Sequence, residues 1–259
     1  MKLLFISKIN LEMKIDTVIL SSNDNPDYIQ FWPIVSEAWT LMGVEPILIY
    51  TGEQDLNLNG NVINYKVNNL HSSFVAQNVR ILYPSLFTDR VCLVSDIDNL
   101  PLSKDYFINS VLDFNKDSFI IYRPEACPPN MISMMWNAAA SSTWYEIFNV
   151  DSEKNIEKYL KKWYSKKYSI QGKAWYTDQI KLRKYVNKFS KKNKSRIVEL
   201  NDEELGFYRF NRNRLEKHFN IMDENPDSKF TDFHMPRPFN EYQELINKVF
   251  DHHKKYIID

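Results

Sequence analysis

Glycine is scarce in this chain. There are five in 259 residues, Gly43, Gly52, Gly60, Gly172 and Gly206, and no two are close enough to form a Gly-x-Gly pair. A dinucleotide fingerprint and a phosphate-cradling P-loop both need clustered glycines, because the backbone must approach phosphate closely, so both are excluded. The Gly-x-Ser-x-Gly elbow of serine hydrolases is missing as well. Cysteine is scarcer still. Cys92 and Cys127 stand 35 positions apart, which supports neither a disulfide framework nor a structural zinc site, and a reducing, cytoplasmic setting is the expectation. No apolar run approaches the ~18 residues of a membrane span. Leu3 to Ile6 is too short for a secretory signal core. Net charge of either sign is also lacking, with 33 basic residues against 33 acidic ones.

What is present is the composition of a globular chain with a sizeable core, 44% hydrophobic and 25% charged. Thr17 to Leu20 reads as a strand that ends in the polar loop Ser21-Ser22-Asn23-Asp24-Asn25-Pro26. Tyr28 to Met42 has helical spacing and stops at Gly43. Pro46 to Tyr50 and Asn61 to Val67 read as strands, and Ser72 to Leu82 as a helix. Val91 to Val94 is a continuous apolar run, as expected of a central strand covered on both faces. Such alternation predicts an α/β fold with a mostly parallel sheet and helices on both sides. Further on, Ser118 to Tyr122 is a strand and Met131 to Ala140 is either strand or buried helix. Ser142 to Phe148, Ile156 to Tyr164 and Thr177 to Phe189 are helical. A single domain is expected, with a nucleotide-binding half at 13–125, an acceptor half at 126–259, and residues 1–12 as an extension or edge strand.

Charge is unevenly spread. Between Asp151 and Arg196, 15 Lys or Arg stand against four acids, a net of +11, and since the chain sums to zero the remainder carries −11. Solvated helix faces explain part of this. A basic surface that meets an anionic acceptor or membrane headgroups is the functional reading. A nucleic-acid partner is not expected, because the acidic remainder would repel a phosphate backbone.

Three motifs carry chemistry. Asp96-Ile97-Asp98 follows the apolar strand directly, and in open α/β sheets ligands gather outside the carboxyl ends of strands. Two carboxylates there suit one hard divalent cation that keeps positions open for phosphate; the bland reading is a turn whose Asp side chains cap backbone N–H groups. His234, in Asp-Phe-His-Met-Pro-Arg-Pro, would add an imidazole and shift preference toward Mn²⁺, and Arg237 follows it closely. Asp178-Gln179 opens a helix, where Thr177 is placed to cap and an Asp is favoured by the helix dipole whatever its function.

In this order the motifs resemble the metal-dependent GT-A glycosyltransferases, most of all the glycogenin-like and lipopolysaccharide galactosyltransferase-like branch, over roughly Thr17 to Phe239. The resemblance implies a GT-A (Rossmann-like) fold. It implies that Asp96, Ile97 and Asp98 bind the sugar-nucleotide diphosphate, and that Asp96, Asp98 and His234 hold Mn²⁺ or Mg²⁺. Ser21, Ser22, Asn23 and Asn25 would contact base and ribose, Arg80 and Arg237 the diphosphate, and Asn137 the sugar. Asp178 and Gln179 would stand beside the anomeric carbon. The implied activity is transfer of a hexose or pentose from a nucleoside diphosphate donor, UDP-linked, to a glycan, lipid-linked glycan or other hydroxyl acceptor. The chain departs from the family pattern in having Asn137-Ala138-Ala139 for Asn-x-Gly, and Arg237 for a later Lys. A sugar-1-phosphate nucleotidylyltransferase would need a glycine-rich loop after the first strand, which is absent. A degenerate, glycan- or partner-binding GT-A domain is the remaining alternative.

Overall fold

The structure, a computed structural model, describes residues 12–225 and 230–258. Residues 1–11 of the expected extension lie outside the described residues, and Glu12 bridges to Asn115. The strands are β1 (Thr17–Ser22), β2 (Glu45–Tyr50), β3 (Asn61–Asn64), β4 (Val91–Ser95), β5 (Asn99–Pro101), β6 (Phe119–Tyr122), β7 (Trp136–Ala140), β8 (Ile197–Leu200), β9 (Tyr208–Asn211) and β10 (Phe230–His234). In the first half the helices are α1 (Pro26–Ile29), α2 (Trp32–Leu41), α3 (Ser72–Val79) and α4 (Lys104–Phe107). Then come α5 (Ser141–Phe148), α6 (Glu153–Trp163), α7 (Thr177–Ser190), α8 (Asp202–Leu205), α9 (Leu215–Glu224) and α10 (Phe239–Ile258).

Seven strands form the main sheet in the order β3-β2-β1-β4-β7-β6-β8. All neighbours are parallel except β7, which runs antiparallel to both β4 and β6. The sheet is covered on both faces, and the strand residues alternate between two cores. Val18, Leu20, Val91 and Leu93 join one core with Trp39 of α2 and Val249 of α10. Ile19, Cys92 and Val94 join the other with Phe74 of α3, Trp144 of α5 and Leu182 of α7. This accounts for the unbroken apolar run of β4, which must satisfy both layers.

The sequence expectation of one helix over 28–42 is corrected in detail. The chain makes the single turn α1, capped by Asn25 whose side chain accepts from Asp27 N, and then α2, with Pro33 in its first turn. Proline fits there because the N–H it lacks has no intrahelical partner. Gly43, at φ +79°, ends that segment in the left-handed region. Met131 to Ala140 resolves into a loop and then β7. A second sheet, β5-β10-β9, has no counterpart in the sequence reading. In it, His234 pairs with Asn99 in antiparallel register, which sets the imidazole beside the residue that follows Asp98. No helix among the described residues is long and apolar enough to cross a membrane.

Candidate active site

From β1 the chain moves outward to β2 and β3 and returns to the other side of β1 as β4. The carboxyl ends of β1 and β4 therefore flank the point where the strand order reverses, the place where open α/β sheets leave a crevice. A cavity of about 400 Å³ occupies it. Ser21, Ser22, Asn23 and Asn25 line one side, and Asp96, Ile97 and Asp98 the floor. Arg80, Asp178, Gln179 and His234 complete it, so elements spread over 200 positions of sequence converge there.

Local structure aims each group. Asn23 donates to the hydroxyls of Ser72 and Ser73 (3.0 and 3.1 Å), tying the β1 loop to the start of α3. Arg80, at the end of α3, is 6% exposed. Its guanidinium donates to Ser95 O (3.2 Å), to Asp96, and to Asp178 Oδ2 (3.2 Å). One buried cation thus bridges the Asp-x-Asp turn and the start of α7. Asp98 Oδ2 lies 3.2 Å from Arg212 Nη1 and 3.4 Å from His234 Nε2. Burial by itself would raise the Asp98 pKa, but His234, Arg212 and Arg237 together hold it below the usual carboxylate range. Asp178 goes the other way. Burial pushes it up to about 6, with the Asp96 charge adding to the rise and Arg80 and the Gln179 N–H opposing it.

Two expectations are corrected here. Thr177 does not cap α7; its hydroxyl donates to Ala174 O, and Tyr176 holds the cap position. Asn137 does not line the cavity. It is wholly buried in β7 and donates to Ser133 O, on the opposite face of the strand from Trp136. Arg237 stands just behind the wall, its guanidinium 4.7 Å from the ring centroid of Tyr28, which does line the cavity. Trp175 and Tyr176, which precede Asp178 in its motif, also line the cavity, and Arg212 and Tyr28 line it without having been singled out in the sequence. The signal for Arg212 was the basic run Arg209-Phe-Asn-Arg212-Asn-Arg214. A second cavity, of about 500 Å³, adjoins the first and shares Asp96, Met134, Tyr176, Gln179 and His234 with it. Met131, Met134, Met135 and Cys127 give it a soft, adaptable wall.

Two carboxylates and an imidazole around one cavity are the donor set of a divalent metal such as Mn²⁺. Asp98 and His234 present two of these donors together. Asp96 does not join them, because Arg80 is its partner, and among the described residues no three His, Cys, Asp or Glu side chains form a cluster that would hold a metal. The donor chemistry fits, with Asp98 and His234 as the ready pair.

No family model and no curated protein matches the sequence. Solved structures do match. The glycosyltransferase GlyE of Streptococcus pneumoniae TIGR4 aligns with a TM-score of 0.50 at 12% identity, over 95% of this chain and 62% of that one. This chain thus spans less than two thirds of the length of GlyE. A glycosyltransferase involved in glycosylation of the major capsid of PBCV-1 aligns at 0.46 and 14% identity, over 90% and 99%. The galactosyltransferase LgtC, in complex with donor and acceptor sugar analogs, aligns at 0.47 and 10%, over 92% and 95%. With its seven-stranded, mostly parallel sheet and helices on both faces, the chain has the GT-A glycosyltransferase fold.

Proposed function

We propose that this protein is a metal-dependent glycosyltransferase that moves a sugar from a nucleoside diphosphate donor, UDP-linked as the resemblance implies, to a hydroxyl of a glycan or lipid-linked glycan. One observation carries the reading: the cavity at the strand-order reversal gathers the polar β1 loop, Arg80, Asp98, His234 and Asp178 into one place. The β1 loop from Ser21 to Asn25 offers hydroxyls and amides to a base and ribose. Asp98 and His234 would hold the metal, with Asp96 joining them on leaving Arg80, and the metal when bound would supply Lewis-acid stabilisation of the departing diphosphate. Arg212 and Arg237 add fixed positive charge beside Asp98, and charge set in place before reaction costs no reorganisation during it.

The chemistry breaks the anomeric C–O bond to the diphosphate and forms a C–O bond to the acceptor oxygen, whose proton must leave. Asp178 and Gln179 stand where the two cavities meet, Gln179 lining both. Asp178 would serve as acceptor-side base or as stabiliser of an oxocarbenium-like centre, according to the stereochemical course. The Met-lined cavity is assigned to the acceptor hydroxyl. Peripheral contact of the basic 151–196 face with an anionic membrane surface completes the proposal. Calorimetry of UDP with Mn²⁺, and with EDTA, tests it: binding is expected only with the metal. Donor hydrolysis under the same conditions separates the enzyme from an inactive glycan-binding domain of the same fold. UDP binding indifferent to metal would reject the reading.

A further inference from the structure

A third cavity continues from the acceptor side. It is an open cleft of about 940 Å³ that meets the Met-lined cavity at Ala126 and Arg209. Its walls combine four features. Tyr208 is 43% exposed, its ring supported from behind by Phe230 in an edge-on contact at 5.1 Å. Asn213 presents an amide. Arg214 and Lys217 present cations at the start of α9, where the helix dipole also favours negative charge. Among the described residues no carboxylate lies within ion-pair distance of either cation, whereas Arg123 and Arg209 at the back of the cleft are neutralised by Asp202 and Asp232. His218, also in the wall, is held below its usual pKa by burial first and then by the charges of Lys217 and Arg214. The carboxylate in the lining, Glu125, accepts from Asp202 N (3.3 Å) and forms no ion pair with Arg214 or Lys217.

An exposed aromatic face beside amides is the chemistry that stacks on a sugar ring, and uncompensated cations next to it select a negative charge. We propose that this cleft is an extended acceptor subsite for an anionic sugar, a carbohydrate bearing a phosphate or carboxylate. A ring stacks on Tyr208, the anionic group meets Arg214 and Lys217, and the chain of sugars runs past Arg209 toward Gln179. This rests on the transferase reading above for its direction, but its binding chemistry does not involve the donor.

The test is calorimetry of the whole chain with three disaccharide probes: a neutral one, one bearing a phosphate monoester and one bearing a uronate. The expected result is that an anionic probe binds at least about tenfold more tightly than the neutral one. Arg214→Ser combined with Lys217→Ser should remove that preference, and Arg214→Lys should keep it, since the charge rather than the fork is asked for. Tyr208→Ala should weaken every probe that binds, with Tyr208→Phe restoring it. UDP with Mn²⁺ is measured on each variant and should be unchanged, because none of these residues lines the donor cavity. Whichever of phosphate and uronate binds identifies the anion. Equal affinity for neutral and anionic probes, or an anionic preference that survives the double variant, overturns the proposal. Failure of UDP to bind while the charge-dependent glycan binding persists would count against the transferase and for the cleft.

Discussion

At the scale of single residues, the two carboxylates that matter most are shifted in opposite directions. Asp98 is surrounded by cations and stays ionised, as its proposed role as a metal ligand requires. Asp98→Ala should abolish metal-dependent UDP binding with the fold kept, as judged by circular dichroism. His234→Ala should weaken the manganese titration less, since imidazole brings no net charge. Asp178 has its pKa raised to about 6 against an ordinary 3.8, so the folded state binds a proton that the unfolded state releases. The stability tied to that proton is full below about pH 4 and is lost as pH rises through 6. That loss is on the order of 3 kcal/mol. Asp178→Asn imitates the protonated form. The variant is therefore expected to show flat stability between pH 4 and 7 and to melt above the wild type at pH 7. Transfer should fall by roughly 10²–10⁴-fold, the usual contribution of general base work, with donor affinity near wild type. A variant that is less stable at pH 7, or that transfers at the wild-type rate, would return Asp178 to a helix-start role.

Between elements, the small sheet β5-β10-β9 is locked to the main one by buried charge. Arg123 donates to Asp202, to Thr231 (2.9 Å) and to Asp232 (3.2 Å). Tyr106 donates to Asp202, and Arg209 lies 2.8 Å from Asp232, close enough for charge pairing though not aligned as a hydrogen bond. Arg209 also holds Asn99, next to Asp98, and Asp232 stands two residues before His234. Asp232→Asn leaves the buried Arg123 and the half-buried Arg209 short of a partner and should cost about 3–5 kcal/mol in urea unfolding. The exposed Lys66–Glu53 pair is the control, and Glu53→Ala should change stability by less than about 1 kcal/mol. A small effect of Asp232→Asn would mean that water reaches the network. None of this arrangement was legible beforehand. The strands of the first half were, because β1, β2 and β4 are short apolar runs bounded by turn residues, and Asp96 and Asp98 followed from their place after one of them. The sheet β5-β10-β9 was not, because three-to-five-residue strands leave no periodicity to read. His234 was found through its motif, but its position beside Asp98 depends on a register with Asn99 that no local signal encodes. Asn137 was misplaced for a related reason: the motif named the residue, while the alternation along β7 decided which face it took.

For the whole molecule, the governing feature is the segregation of charge. Residues 151–196 carry +11 and the remainder −11. Within that segment, α6 buries Ile156, Leu160 and Trp163, which leaves its lysines on the outer face. Ile170, Tyr176 and Ile180 remain exposed at 52%, 50% and 43% beside further lysines. Ile170 and Tyr176 also line the cavity proposed for the donor, so this segment reaches its edge. Lysines around exposed apolar side chains are the pattern of an interfacial contact, in which cations meet anionic headgroups and apolar groups enter the boundary. The chain is therefore expected to sediment with vesicles containing about one third phosphatidylserine at low ionic strength, and not with neutral vesicles. Salt near 0.5 M shortens the screening length to roughly 4 Å and should release it. Lys184→Glu with Lys188→Glu should reduce vesicle binding severalfold while leaving UDP affinity unchanged, since neither residue lines the donor cavity. Binding that ignores salt and lipid charge, or that survives the double charge reversal, would show that these lysines only keep the helices α6 and α7 in water.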